Sequence, residues 1–330
     1  MSRPTLAIGA IAIGFVLNAA VPVPSVAQDW PTRPLTMVVP YAAGGATDVI
    51  GRVLSPHVSE ILRQQVIIEN IGGAGGMIGA QRVAKAAPDG YQFVLGNVST
   101  HAANQMLYKH PLYNATTDFA PVALIAEQPL VLIARKDFPA DNLSEFIAYT
   151  KANQAKMQYG SAGAGSSSHL ACALVNLAIG VNVMHVAYRG GGPAMQDLIA
   201  GRIDYQCPNA TAAIPLLEGK LAKAIAILTK NRSRVLPNLA SAQEQGLKDF
   251  EVDNWHASFL PTGTPTAIIR KLHEATVATM DRPAVQKRLR ELGAEVVAPE
   301  RRSPEYLQGF VEREIKKWAA IIKVSGVAMN

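Results

Sequence analysis

Val38-Val39-Pro40-Tyr41-Ala42-Ala43-Gly44-Gly45-Ala46-Thr47-Asp48 joins a β-branched apolar run to the start of an amphipathic one through a proline and two adjacent glycines. The order reads as strand, tight turn, helix. Such a turn brings unpaired N–H groups and the positive end of a helix dipole to the carboxyl edge of a sheet, where α/β folds hold anions. Glycine lets a guest approach the backbone closely. The alternative is that Thr47 or Asp48 is an ordinary helix cap, a role either side chain can fill.

The same device returns at Tyr159-Gly160-Ser161-Ala162-Gly163-Ala164-Gly165-Ser166-Ser167-Ser168-His169, between another strand and helix. A third glycine turn follows in His185-Val186-Ala187-Tyr188-Arg189-Gly190-Gly191-Gly192-Pro193-Ala194, where Pro193 suits the first turn of a helix. Arg189 is placed either to pair with a carboxylate or to sit in solvent. The strand Ile203 to Cys207 ends in Pro208-Asn209, which sets the Asn209 amide within reach of the same region.

Outward from these motifs the chain alternates β-rich runs with helical ones, the pattern of mostly parallel strands covered by helices. Strands are expected at 35–39, 65–69, 92–96, 122–134, 157–160, 183–187, 203–207, 222–228 and 252–260. Helices are expected at 48–62, 77–86, 101–108, 143–152, 167–179, 194–200 and 212–218. The tail differs, with helices at 266–280, 284–292 and 304–324 around a short strand at 294–297. In the last helix Leu307, Phe310, Val311, Ile315, Trp318, Ile321 and Ile322 share one face at helical spacing, so it packs as an amphipathic cover.

About 300 residues exceed what one core usually organises, so two lobes are expected. The apolar run 122–134, broken by Glu127-Gln128-Pro129, reads as a strand leaving one lobe for the next. A return crossing falls near Trp255 and His256 in 252–260. The first lobe then comprises 28–127 and 253–330, the second 128–252, and the crossings form a hinge.

Met1 to Ala27 carries Arg3, an apolar run from Leu6 to Ala20 and a segment ending Ser25-Val26-Ala27, the three regions of a secretory signal cut after Ala27. The run contains Gly9 and Gly14 and falls short of the ~20 apolar residues of a spanning helix. The mature chain is thus expected outside the cytoplasm. The net charge of +6 for the full sequence, one of it from Arg3, comes from Lys and Arg scattered among acids, as in Glu312-Arg313-Glu314-Ile315-Lys316-Lys317. That distribution gives nucleic acid nothing to grip. Cys172 and Cys207 lie too far apart in sequence for a redox or zinc pair. Each sits in an apolar element, which favours two buried thiols over a bridge.

A hydrolase reading would take a serine from Ser166 to Ser168 with His169 as base. Gly-x-Ser-x-Gly is absent, and adjacent helical residues do not face one another as nucleophile and base must. Gly72-Gly73-Ala74-Gly75-Gly76-Met77-Ile78-Gly79 falls one position short of a dinucleotide fingerprint, because Ile78 stands where its third glycine belongs. It reads as a structural turn. The histidines show no ligand spacing, so neither a metal nor a cofactor is expected.

Together the strings WPTRPLTMVVPYAAGGATDVIGRVL, IENIGGAGGMIGAQRVAKAAPDGYQFVLGN, YGSAGAGSSSHLA and HVAYRGGGPAMQDLIAGRIDY resemble the Bug receptors, the solute-binding components of tripartite tricarboxylate transporters. The likeness spans nearly the whole mature chain. It implies an α/β, two-lobed periplasmic binding fold of type II-like form, with two mixed sheets flanked by helices and a ligand cleft between the lobes. It also implies a monomer that captures a small organic acid, for transport through membrane permease subunits or for sensing, and catalyses nothing.

By match, the first turn supplies Tyr41, Gly44, Gly45, Thr47 and Asp48, and the second Ser161, Gly163, Ser166 and His169. Gly190, Pro193 and Ala194 form the adjoining loop, and Ser99 and Thr100 occupy the loop after the strand ending at Gly96. Two positions depart from the family pattern: Arg189 stands where Lys is common, and Pro208-Asn209 replaces Asp-Asn.

Overall fold

A computed structural model describes residues 30–325. The chain begins with β1 (Leu35–Val39), α1 (Ala46–Leu62), β2 (Val66–Asn70), α2 (Met77–Ala84), β3 (Gln92–Asn97), α3 (Asn104–Leu107) and β4 (Phe119–Pro129). A second set follows: β5 (Val131–Arg135), α4 (Leu143–Asn153), β6 (Gln158–Ser161), α5 (Ser167–Ile179), β7 (Met184–Ala187), α6 (Gly191–Ile199), β8 (Tyr205–Gln206), α7 (Ala210–Glu218) and β9 (Ala222–Ile227). The tail comprises β10 (Asp253–Pro261), α8 (Thr266–Met280), α9 (Pro283–Glu291), β11 (Glu295–Val296) and α10 (Pro304–Ser325).

The strands build two sheets, in the orders β11-β4-β10-β3-β1-β2 and β7-β6-β8-β5-β9. Both are mixed rather than mostly parallel. β1 runs parallel to β2 and β3, while β10 lies antiparallel to β3 and β4. β6 runs parallel to β7 and β8, while β5 lies antiparallel to β8 and β9. The antiparallel strands are those adjoining the passages between sheets, where the chain must reverse direction to leave and return.

Those passages lie side by side. The expected strand 122–134 is two strands, β4 in the first sheet and β5 in the second, with Leu130 between them. Leu228 N donates to Leu130 O at 2.9 Å, and Val252 N donates to Leu228 O at 2.7 Å. The outgoing and returning segments are therefore stitched together through the end of β9.

Local sequence explains where the helices start and stop. Ser166 caps α5 by accepting from His169 N at 3.3 Å, and Gly180 ends it with a left-handed φ of 72°. Asn142 caps α4 in the same way, accepting from Glu145 N at 2.9 Å. The N-cap of α1 is neither Thr47 nor Asp48 but Gly45, whose flanking Gly44 N donates to Asp48 Oδ2 at 2.9 Å. Ser99 and Thr100 do not lie in a loop. They open a π-helical turn, 99–103, that leads into α3.

Leu132, Ala134, Tyr205 and Cys207 pack with Phe146, Leu170 and Cys172 in one core, and Val131 and Ile133 pack with Met195, Leu198 and Ala213 in another. In α10, Leu307, Val311 and Trp318 are buried, and Phe310, Ile315, Ile321 and Ile322 pack partly buried against the core, as the periodicity predicts. The indole Nε1 of Trp255 in β10 donates to Glu314 Oε2 at 3.0 Å, tying this cover to the first sheet.

A further expectation is overturned. Cys172 in α5 and Cys207 after β8 form a disulfide, with Cα atoms 5.5 Å apart. Sequence placed Cys172 in a helix and expected Cys207 in a strand 203–207; the strand is only Tyr205–Gln206, though both residues are buried. Sequence carried no information on the distance between them, on which bridging depends. The expected signal segment, 1–27, lies outside the described residues.

Candidate functional site

A narrow cleft with a cavity volume of about 30 Å³ lies between the two sheets. The first lobe lines it with Tyr41, Gly45, Ala46, Thr47 and Asn97; the second contributes Ala162, Ser166, Ser167, Ser168, Gly191, Gln206, Pro208, Asn209 and Ala212. None of these described residues is charged. Instead the amino-terminal ends of α1, α5, α6 and α7 meet here. Each contributes backbone N–H groups without intrahelical partners and a positive dipole end. An anion entering the cleft would find donors and no acidic side chain among the lining residues.

The side chains add donors of defined polarity. Gln128 Oε1 accepts from Thr211 N at 3.2 Å and Thr211 Oγ1 at 2.8 Å, so it is the Gln128 Nε2 that donates to His256 Nδ1, at 3.4 Å. His256 is wholly buried, and burial pushes its pKa down to about 3, so the ring is neutral. With Nδ1 accepting, the proton sits on Nε2 and is donated to Thr47 Oγ1 at 3.1 Å. Thr47 therefore keeps its own hydroxyl proton to donate to a guest.

Similar accounting applies to the second lobe. Ser166 Oγ accepts from His169 N, Ser168 Oγ accepts from Ala162 N at 2.9 Å, and the two hydroxyls lie 3.1 Å apart. One hydroxyl proton is used between them and one is left over. Asn209 Oδ1 accepts from Asn254 Nδ2 at 3.0 Å, which leaves the Asn209 amide nitrogen as a donor beside the cleft. The donor hydrogens of Thr47 and Asn209 are thus fixed by residues at the lobe crossings, and those of Ser166 and Ser168 by the second turn's own backbone.

Of the residues singled out from sequence, Tyr41, Gly45, Thr47, Ser166 and Asn209 line the cleft. The others support it. Asp48 accepts from Gly44 N, from Arg52 Nε at 2.9 Å and from Asn70 Nδ2 at 2.9 Å. Burial acts to raise its pKa, but these hydrogen bonds outweigh it and hold the carboxyl below its usual range. Asp48 thereby braces the first turn. Ser161 Oγ bonds His185 Nε2 at 2.7 Å and accepts from Gly163 N at 3.1 Å, so it shapes the second turn from beneath.

His169 does not face a serine as a base would. Its Nδ1 accepts from Gly165 N at 3.2 Å, and burial pushes its pKa down to about 4. Ser99 N and Thr100 N donate to Asn97 Oδ1 at 3.0 and 3.2 Å, fixing the side chain that does line the cleft. Tyr41 Oη donates to Gly75 O at 3.1 Å and lies 3.2 Å from Asn97 Nδ2, and burial pushes its phenol up to about 12. Tyr41 and Asn97 thus close one wall.

The third turn acts through its backbone. Gly190, Pro193 and Ala194 do not line the cleft, although their neighbour Gly191 does. Arg189 is exposed, and its carbonyl accepts from Ala42 N of the other lobe at 3.0 Å. The glycine run after β2 belongs to this lobe contact. A Cβ on Gly72 would collide with the Arg189 carbonyl, and one on Gly75 with Ala164 and Gly165. The run reads as a structural turn because its glycines let two backbones touch, and no dinucleotide phosphate is required to explain them.

Sequence reasoning missed Asn97 and Gln206 as lining residues, and passed over Ala46, Ala162, Gly191 and Ala212. Two signals were available. Asn97 ends a strand whose other residues are mostly apolar, and Gln206 is a polar residue within a short buried strand.

Residues 50–327 match the model of the tripartite tricarboxylate transporter family receptor. The chain is similar to the malate-bound MatC of Rhodopseudomonas palustris, at 40% identity and a TM-score of 0.86, covering 89% of this chain and 100% of that one. It is similar to the periplasmic binding protein BugD, at 38% identity and a TM-score of 0.88, covering 91% and 100%. An adipate-bound protein of R. palustris matches at 35% identity and a TM-score of 0.86, covering 91% and 99%. With its two mixed sheets and the cleft between them, the chain belongs to the tripartite tricarboxylate transporter receptors, the Bug family of solute-binding proteins.

Proposed function

We propose that this solute-binding protein captures a small organic di- or tricarboxylate outside the cytoplasm and presents it to membrane permease subunits, acting as a monomer and catalysing nothing. The observation that carries this reading is the composition of the cleft. Four helix amino termini and hydroxyl and amide donors from both lobes surround a space that no described acidic or basic side chain enters. Neutral donors of this kind replace the hydration of a carboxylate without fixing a counter-ion there. The malate and adipate in two similar proteins are consistent with such a guest.

The residues proposed to touch the guest are Thr47, Ser166, Ser168 and Asn209, with main-chain donors at Gly45, Ala46 and Gly191. The lobes, 28–127 with 253–330 and 128–252, close over it by bending at the paired crossings. Export with cleavage near Ala27 accords with the family, and among the described residues no helix is long and apolar enough to cross a membrane. A hydrolase would need a serine polarised by a histidine at the cleft; Ser166 and Ser168 are instead bonded to each other.

Isothermal titration against a panel of C4 to C6 organic acids tests the proposal. Saturable binding of at least one acid, with a rise in melting temperature and no turnover of activated esters, is expected. Absence of binding across the panel, or serine-dependent ester hydrolysis, would overturn it.

A further inference from the structure

Gln206 stands apart from the other side chains of the cleft. It is fully buried in β8, and neither its Nε2 nor its Oε1 has a partner in the protein. Its neighbours across the sheet are Ile133 of β5 and Gly160 of β6, and neither has a polar side chain. Burying an amide with both ends unpaired is costly, and a methionine or leucine would fill such a place at no such cost. The side chain lines the cleft, so the partner that justifies it is the guest.

An amide makes a two-sided demand: Nε2 can only donate and Oε1 can only accept. An ionised carboxylate satisfies the nitrogen and leaves the oxygen orphaned. An ammonium would satisfy the oxygen, but it would enter a space ringed by four positive helix ends with no acidic side chain among its lining residues. The Asp48 carboxylate in the first turn of α1 is already engaged by Gly44 N, Arg52 and Asn70. A hydroxyl beside a carboxylate meets both demands, since the O–H donates to Oε1 while the carboxylate accepts from Nε2. We infer that Gln206 reads a hydroxyl group carried next to a carboxylate, which makes a 2-hydroxy di- or tricarboxylate the preferred guest of the cleft. This rests on the reading of the cleft as a carboxylate site and adds its selectivity.

The test compares L-malate, succinate, L-aspartate and succinamate by titration calorimetry on the wild type, Gln206→Met and Gln206→Leu. The wild type is expected to bind malate about tenfold or more tighter than succinate, on the scale of one or two hydrogen bonds. Either variant is expected to lose most of that preference by weakening malate while succinate holds or improves, and to melt higher without ligand. Equal binding of malate and succinate by the wild type would overturn the inference, as would a preference unchanged in the variants. Tighter binding of aspartate or succinamate than of malate would also overturn it. Each of these results leaves the carboxylate reading standing, whereas failure of every acid to bind removes both. Even if both variants fold poorly, equal binding of malate and succinate by the wild type overturns the inference.

Discussion

Thr47 in the first turn of α1 and His256 in the returning strand β10 share a hydrogen bond of 3.1 Å in which the imidazole must be the donor. The direction follows from Gln128, whose oxygen is already occupied by Thr211 of the second lobe. A cleft hydroxyl is thus oriented by a chain of contacts that runs from one lobe to the other through a crossing strand. Removing the hydroxyl with Thr47→Val should weaken carboxylate binding by about 1.5–3 kcal/mol, the range for a hydrogen bond to a charged group. If His256 acts through Thr47, the double variant Thr47→Val/His256→Phe should bind no more weakly than Thr47→Val alone, as read by a calorimetric double-mutant cycle. Additive losses would show that the histidine acts by another route.

The buried histidines predict an acid-labile fold. Burial pushes His101 and His256 down to about 3, whereas an unfolded histidine titrates near 6.5. The native state therefore binds fewer protons than the unfolded state between those values. Their contribution to stability is fully present above about pH 6.5 and is lost as the pH falls below it, by about 1.4 kcal/mol per pH unit for each ring. Denaturant midpoints measured from pH 7 to pH 4 should fall accordingly, and His256→Gln should flatten the slope.

The disulfide ties α5 to β8 directly behind the cleft, because Cys207 sits between the lining residues Gln206 and Pro208. Opening a loop with a sequence separation of 35 should cost about 4 kcal/mol on the loop-entropy scale. Cys172→Ala/Cys207→Ala should lower the unfolding free energy by that amount, read from the urea midpoint multiplied by the m-value. Ligand affinity should fall as well, since the strand and helix that hold Gln206 and Ser166 lose their link; unchanged affinity would show that packing alone positions them.

Gly45 offers a graded test of closure. A Cβ there would lie 3.4 Å from Gly191 N of the opposite lobe, an ordinary contact, so Gly45→Ala should be tolerated. The further methyl groups of Gly45→Val have no such room and should hold the lobes apart at an overpacking cost of about 1–3 kcal/mol. Affinity should drop by about tenfold or more. Small-angle scattering with ligand present should then give a larger radius for the valine variant than for the wild type.

Much of the architecture was legible without coordinates. The helices 167–179 and 266–280 and the strand 35–39 lie where periodicity placed them, because local hydrophobic spacing and flanking turn residues govern such elements. The glycine turns were legible for a related reason. A strand running into a helix through glycines presents N–H groups wherever it occurs, so the turns at Tyr41 to Thr47 and Ser161 to Ser166 stood out early.

What escaped was pairwise and long-range. Asn97 and Gln206 carry no local motif, and their importance appears only when strands distant in sequence set them beside the same space. Arg189 was open to two readings, a carboxylate partner or a solvated side chain, and it is exposed and absent from the cleft lining while its carbonyl makes the lobe contact. His169 and Ser161 belong to the right turn but act beneath it, since the curl of the backbone decides which side of a loop faces inward.

Sequence alone determined the alternation of strands and helices and the neutral, glycine-lined turns, all of which depend on residues within one or two turns of each other. Tertiary structure decided which four helix ends converge, that Cys172 meets Cys207, and that a buried amide at Gln206 lacks a partner in its own chain. The division is physical: spacing along the backbone sets local conformation, whereas a disulfide, a hydrogen-bond direction or an unpaired polar atom exists only once distant segments are packed to within a few ångströms.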